Sequence, residues 1–193
     1  MLRRLYDWTM SQAARPHAEK ALFGVSFIES SVFPIPPDVL LIPMVIARPL
    51  NWLRLAAICT IASVLGAIAG YAIGMFLFDL IGRPILAFYG KEDAFTDLAD
   101  WYNTWGGWGV LFAAITPFPF KVLTIFSGAT GLNLAVFVIV SVIGRAARFF
   151  LVAGLLRLYG QPIRLFIEKY LGTLTVVFCV LLIGGFYLVK FIV

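Results

Sequence analysis

Five ionisable side chains lie in stretches too apolar to solvate them. Glu29 and Asp38 flank "FPIPP", Lys121 follows "TPFPF", and Arg145 and Arg148 lie in "GRAARFF". The i, i+3 spacing puts both arginines on one face of a helix. A charge at mid-bilayer costs roughly 2.5–3.5 kcal/mol on insertion scales, so isolated charges would be hard to retain. An inward-facing cluster of two carboxylates and three cations is expected. Its excess positive charge suits an anion, and arginine offers phosphate a bidentate fork. Buried ion pairs that only register helices are the structural alternative. For Asp38, capping the following helix is an equal alternative. Glu29, among Phe27, Ile28 and Val32, has no cap to make, and a desolvated carboxylate near arginine is a candidate for proton coupling.

What must position these groups is a helix broken twice. Pro34, Pro36 and Pro37 fall within four positions, and Pro117 and Pro119 repeat the pattern. Each proline removes a backbone donor and pushes the preceding residue out of the α region. Unpaired backbone at membrane depth is tolerated only inside protein or beside water. Both segments therefore read as re-entrant hairpins, two half-helices meeting at a proline turn, with a kinked span as the alternative. After each break come a short apolar half, a turn with Asn51 or Asn133, and a long helix ending in "LIGRP" (80–84) or "LYGQP" (158–162). The expected architecture is an all-α polytopic membrane protein: an inverted repeat of hairpin plus transmembrane helix, with interfacial amphipathic helices. Such repeats place binding sites where broken helices meet.

Composition demands the membrane. The 193 residues are 62% hydrophobic and 13% charged, whereas a soluble domain is about half apolar and about a quarter charged. Apolar runs at Trp52–Leu80, Leu134–Leu156 and Leu171–Val189 are each long enough to span. Residues 1–20 read as an interfacial helix, or a frayed tail, and not as a secretory signal. The membrane domain is expected over 21–162: a first repeat 21–84, an amphipathic connector 85–105 on the outer surface, and a second repeat 106–162. Residues 163–193 add an interfacial helix and a last span. Cys59 and Cys179 read as small core hydrophobes. Gly66, Gly70 and Gly74 make a ridge for close helix packing. The net charge of +5 is a topology signal. Nine basic residues fall on the N-terminal side and Arg83, Lys91 and Lys190 on the other, so the N-terminus is expected in the cytoplasm. No H-E-x-x-H, P-loop, G-x-S-x-G or C-x-x-C appears, so no enzyme, metal, cofactor or nucleic-acid role is expected.

An acidic residue followed by "FPIPPD" and "LLIP", a second proline break and a glycine-bearing helix together resemble the DedA family. Its shared region is also called the SNARE-associated or VTT domain, and "FPIPPD" is similar to its YqaA-type branch. The resemblance runs from about Ala21 to Pro162 and on through "RLFIEKYLG" (164–172). It implies a bacterial inner-membrane protein with two re-entrant hairpins. Members are implicated in moving lipids such as undecaprenyl phosphate and phospholipids, and in proton-dependent envelope functions. Glu29 and Asp38 match the family's essential acidic positions. The family's second motif, R-F-I-P-x-x-R, is altered here. Ala114 replaces its first arginine, and Lys121 stands one position beyond its second. Arg145 and Arg148 are candidates for the missing cations. The leading expectation is translocation of a lipid with an anionic phosphate headgroup, with proton coupling and homo-oligomerisation left open. A proton-coupled solute transporter and a non-transporting scaffold are the rivals; full internal neutralisation of the cluster would favour the scaffold.

Overall fold

Proline writes both interruptions of the helical chain. The computed structural model describes residues 17–32, 36–116, 119–160 and 162, all of its regular structure helical. Helix α1 (Ala18–Ser31) stops before the first proline run and α2 (Asp38–Ala47) starts directly after it. Pro36 and Pro37 form the entry to α2, their carbonyls accepting from the amides of Val39, Leu40 and Leu41. Pro34, Pro117, Cys179, the 1–16 segment, the interfacial helix expected from 163 and the third span lie outside the described residues.

Beyond a 3-10 turn at Pro49–Asn51, α3 (Trp52–Leu77) continues through a π-helical turn (Phe78–Gly82) into α4 (Arg83–Tyr89). This 41-residue rod is about 60 Å long, twice the roughly 30 Å of bilayer hydrocarbon. "LIGRP" does not end the helix as expected. Pro84 follows directly on the π-helical turn, where the α-helical hydrogen-bond register is already interrupted, and the helix continues past it. Gly90, at φ 60°, ends the rod instead.

The connector expected to stop at residue 105 also runs on. Helix α5 (Glu92–Ile115) crosses the 105/106 boundary unbroken and ends at extended Thr116, before Pro117. Its "TWGGWG" stretch has glycines but no proline, so every backbone donor survives. Helix α6 (Phe120–Ala129) follows the second break. A turn through Gly131 (φ 69°) leads to α7 (Leu134–Gly160). Asn133 caps α7, its Oδ1 accepting from the amides of Ala135 and Val136 at 2.9 and 3.2 Å.

Two apolar clusters hold these elements. One joins Leu22 of α1, Met44 and Val45 of α2, Leu55 and Cys59 of α3, and Phe149 and Ala153 of α7. The start of α1 and the end of α2 thus share one end of the molecule. The other joins Ala67 and Tyr71 of α3, Val110 of α5, Phe120 of α6 and Phe137 of α7. The Tyr102 and Ser127 hydroxyls meet at 2.9 Å, and Asn103 Nδ2 donates to the Thr130 carbonyl, so α5 and α6 run side by side in opposite directions.

Glycine sets the helix spacing. A Cβ on Gly66 would strike the Phe27 carbonyl of α1, and one on Gly74 the Ile125 carbonyl of α6. Gly128 returns the second contact against the Tyr71 carbonyl, so α3 and α6 touch backbone to backbone. Gly70 lies between, against Thr124 and the Ser30 carbonyl. Such small-residue seams suit helices that cannot rely on water to drive them together. Outward, α3 and α7 expose Ile61, Leu65, Phe76, Ile139, Ile143, Leu151 and Leu158, an apolar band that suits lipid.

Candidate functional site: a charged centre between two helix breaks

The two breaks meet between the apolar clusters. Thr124 Oγ1 of α6 donates to the Ser30 carbonyl at 3.1 Å, and Lys121 Nζ donates to the Val32 carbonyl at 3.4 Å. The end of α1 therefore abuts the start of α6. One face of α7 presents Arg145 and Arg148 to this junction.

Arg145 is wholly buried. Its Nη2 meets Glu29 Oε2 at 2.6 Å, and its Nε donates to Ser63 Oγ. Ser30 closes the ring: its Oγ lies 2.6 Å from Ser63 Oγ, donates to Glu29 Oε2 at 3.0 Å, and accepts from Arg145 Nη2 at 3.3 Å. The rings of Phe120 and Phe149 lie on either side, each centroid 4.8 Å from Cζ. A desolvated cation on an aromatic face gains about 2 kcal/mol. Through its Nε and Nη2, Arg145 holds α1, α3 and α7 in register, while its Nη1 makes no hydrogen bond to the described residues.

Arg148 is placed differently. Its Nη2 meets Asp38 Oδ2 at 2.6 Å and its Nη1 donates to the Thr116 carbonyl at 3.4 Å. One guanidinium thus joins the residue after the first break to the residue before the second. Both side chains of this pair retain some exposure, 17% for Arg148 and 21% for Asp38. Asp38 makes no side-chain cap on α2, so of its two expected roles the structure shows the charge partner.

All five expected charges converge here. Four are paired across elements, and Lys121 has no carboxylate partner among the described residues. Several buried polar atoms are also unpartnered there: Arg145 Nη1, Asp38 Oδ1 and Thr116 Oγ1. The sequence reading missed Ser30, Ser63, Phe120 and Phe149. Two signals were available. Ser63 stands twelve residues after Asn51 as Arg145 stands twelve after Asn133, and Phe149 is one helical turn from Arg145.

A profile of the VTT domain matches residues 35–158. The chain is 35% identical over 186 residues to an uncharacterized protein of Haemophilus influenzae, covering 96% of each. It is 36% identical over 151 residues to the "Uncharacterized protein HI0703 homolog" of Histophilus somni, covering 78% of each. No solved structure matches. A match across most of the chain, two helices among the described residues long and apolar enough to cross a bilayer, and a charged centre between two proline breaks agree: this chain is a membrane protein of the VTT-domain, or DedA, family.

Proposed function

We propose that this protein translocates a lipid with an anionic phosphate headgroup across a bacterial inner membrane. The observation carrying the reading is that Arg148 and Asp38 bridge the two breaks beside Lys121, which lacks a carboxylate partner among the described residues. Lys121 and Arg148 receive the phosphate, displacing Asp38, while Arg145 stays committed to Glu29 and keeps the breaks in place. A proton on Asp38 or Glu29 would balance the charge released. In this reading the α1–α2 and α5–α6 hairpins are re-entrant, the halves form an inverted repeat of the YqaA type, and the N-terminus is cytoplasmic.

One observation favours a scaffold instead: both acids already have arginine partners, so the centre is largely neutral without a ligand. Reconstitution separates the two. Wild-type protein in proteoliposomes should move a fluorescent phospholipid or a polyprenyl phosphate between leaflets. Lys121→Ala and Arg148→Ala should abolish the movement while remaining folded. Wild type moving neither lipid, with or without a pH gradient, sinks the lipid reading.

A further inference from the structure

A second polar recess lies away from the charged centre. A cavity of about 380 Å³ lies at the far end of α3, between the π-helical turn, α4, the start of α5 and the end of α6. It is fifteen residues, or roughly 22 Å, along the rod from Ser63. Its volume falls in the range of small-ligand sites.

Its lining has three parts. Phe78 and Phe95 stack at 4.3 Å into an aromatic wall. Arg83 comes from α4, its Nε 3.0 Å from Asp79 Oδ1; the terminal nitrogens Nη1 and Nη2 have no hydrogen-bond partner among the described residues. Glu92 comes from the first turn of α5, and its carboxylate is likewise unpartnered there. Arg83 and Glu92 line one cavity yet form no ion pair with each other. Both side chains are exposed and Arg83 keeps Asp79 as its partner, so Arg83 and Glu92 stand across the cavity as separate charges.

The helix is built to keep that space. A π-helical turn is rare and recurs at functional sites, because it shifts the register of the side chains beyond it. Here it lies at Phe78–Gly82, immediately before Arg83. A Cβ at Gly82 would come within 3.0 Å of Phe78 Cε2, so glycine leaves the wall where it stands.

We infer that this cavity binds a zwitterionic headgroup: its oxyanion on the free end of Arg83, its ammonium on Glu92. Charge complementarity selects this class. One guanidinium and one carboxylate, Arg83 and Glu92, line the site, so a ligand carrying both signs of charge is matched where a purely anionic one would leave Glu92 facing it unpaired. An ammonium gains the Glu92 carboxylate, while the Arg83 guanidinium already lies over Phe78, 5.9 Å from its centroid. The assignment goes beyond the translocation reading and stands without it.

The test is equilibrium binding to the full chain in detergent micelles. The probes are short-chain phosphatidylethanolamine, soluble glycerophosphoethanolamine and short-chain phosphatidylglycerol. Wild type should bind the ethanolamine headgroup saturably and prefer it to the glycerol one. Glu92→Gln and Arg83→Gln, both at the surface, should each weaken binding about tenfold, the scale of one charge-assisted hydrogen bond. Binding of the lipid alone assigns the site to lipid, and equal binding of the soluble probe assigns it to a free zwitterion. The same probes are read on Arg148→Ala, which lacks the charged centre's phosphate contact, and with Glu92→Gln and Arg83→Gln added to it, so that binding left in Arg148→Ala and lost with the second substitution belongs to this cavity and the two readings fail separately. No saturable binding by wild type, equal affinity for the anionic lipid, or variants within about twofold of wild type would overturn the assignment.

Discussion

Replacing Glu29 by glutamine leaves Arg145 as a full charge with no anion. The guanidinium is wholly buried and Glu29 is only 13% exposed, so solvent offers little relief. Removing one partner of a buried pair typically costs about 3–5 kcal/mol, and replacing both by neutral groups of similar shape costs far less. Three features hold the Glu29→Gln cost near the lower end: the Ser63 acceptor and the rings of Phe120 and Phe149 remain. The reverse change, Arg145→Met, should cost less than Glu29→Gln, because a stranded carboxylate can take up a proton whereas a guanidinium cannot shed one. The double variant should be more stable than the sum of the singles, with a coupling energy of about 2 kcal/mol or more. Denaturant unfolding of the four proteins in one detergent measures this cycle. Additive effects, or a Glu29→Gln cost below about 1 kcal/mol, would show that the pair is not a desolvated one.

Other outcomes follow from particular contacts. Gly74→Ala should destabilise by about 1–3 kcal/mol, since the added methyl comes within 3.0 Å of Ile125 Cα, a backbone atom that cannot swing aside. Gly24→Ala meets no atom within 4 Å and should be neutral or stabilising by up to about 1 kcal/mol; thermal unfolding in one detergent compares the two. Tyr102→Phe removes one buried hydrogen bond and should lower stability by about 1 kcal/mol without affecting lipid movement. Lys121→Ala should leave the melting temperature within a few degrees of wild type, because Lys121 makes only a long bond to a carbonyl.

The breaks, the long helices and the convergence of charges were legible because proline and charge act locally. A missing donor stops α1 at Ser31 and α5 at Ile115, whatever packs nearby. Exclusion from hydrocarbon sends Arg145 and Arg148 inward on one face. Pairing was not legible. That Glu29 meets Arg145 and Asp38 meets Arg148 depends on how far each hairpin slides along α3 and α7, which the Gly66 and Gly74 contacts fix in three dimensions. Helix ends were misjudged where a usual stop signal lay at a harmless position. Pro84 followed a π-helical turn, and the glycines after Trp105 weakened α5 without ending it.

The reciprocal glycine contacts also divide the molecule mechanically. Gly66 locks α1 to α3, while Gly74 and Gly128 lock α3 to α6, backbone against backbone. On the other side, a Cβ on Gly144 of α7 would strike the Ala114 side chain and approach the Leu111 carbonyl, so α5 and α7 are closely seated too. The bonds from Arg145 to Glu29 and Ser63, and from Tyr102 and Asn103 of α5 to α6, tie these two closely seated groups to each other. Any movement of α7 away from α1 and α3 must first open a charge contact in low dielectric, so the joint resists small displacements far more than apolar packing alone would.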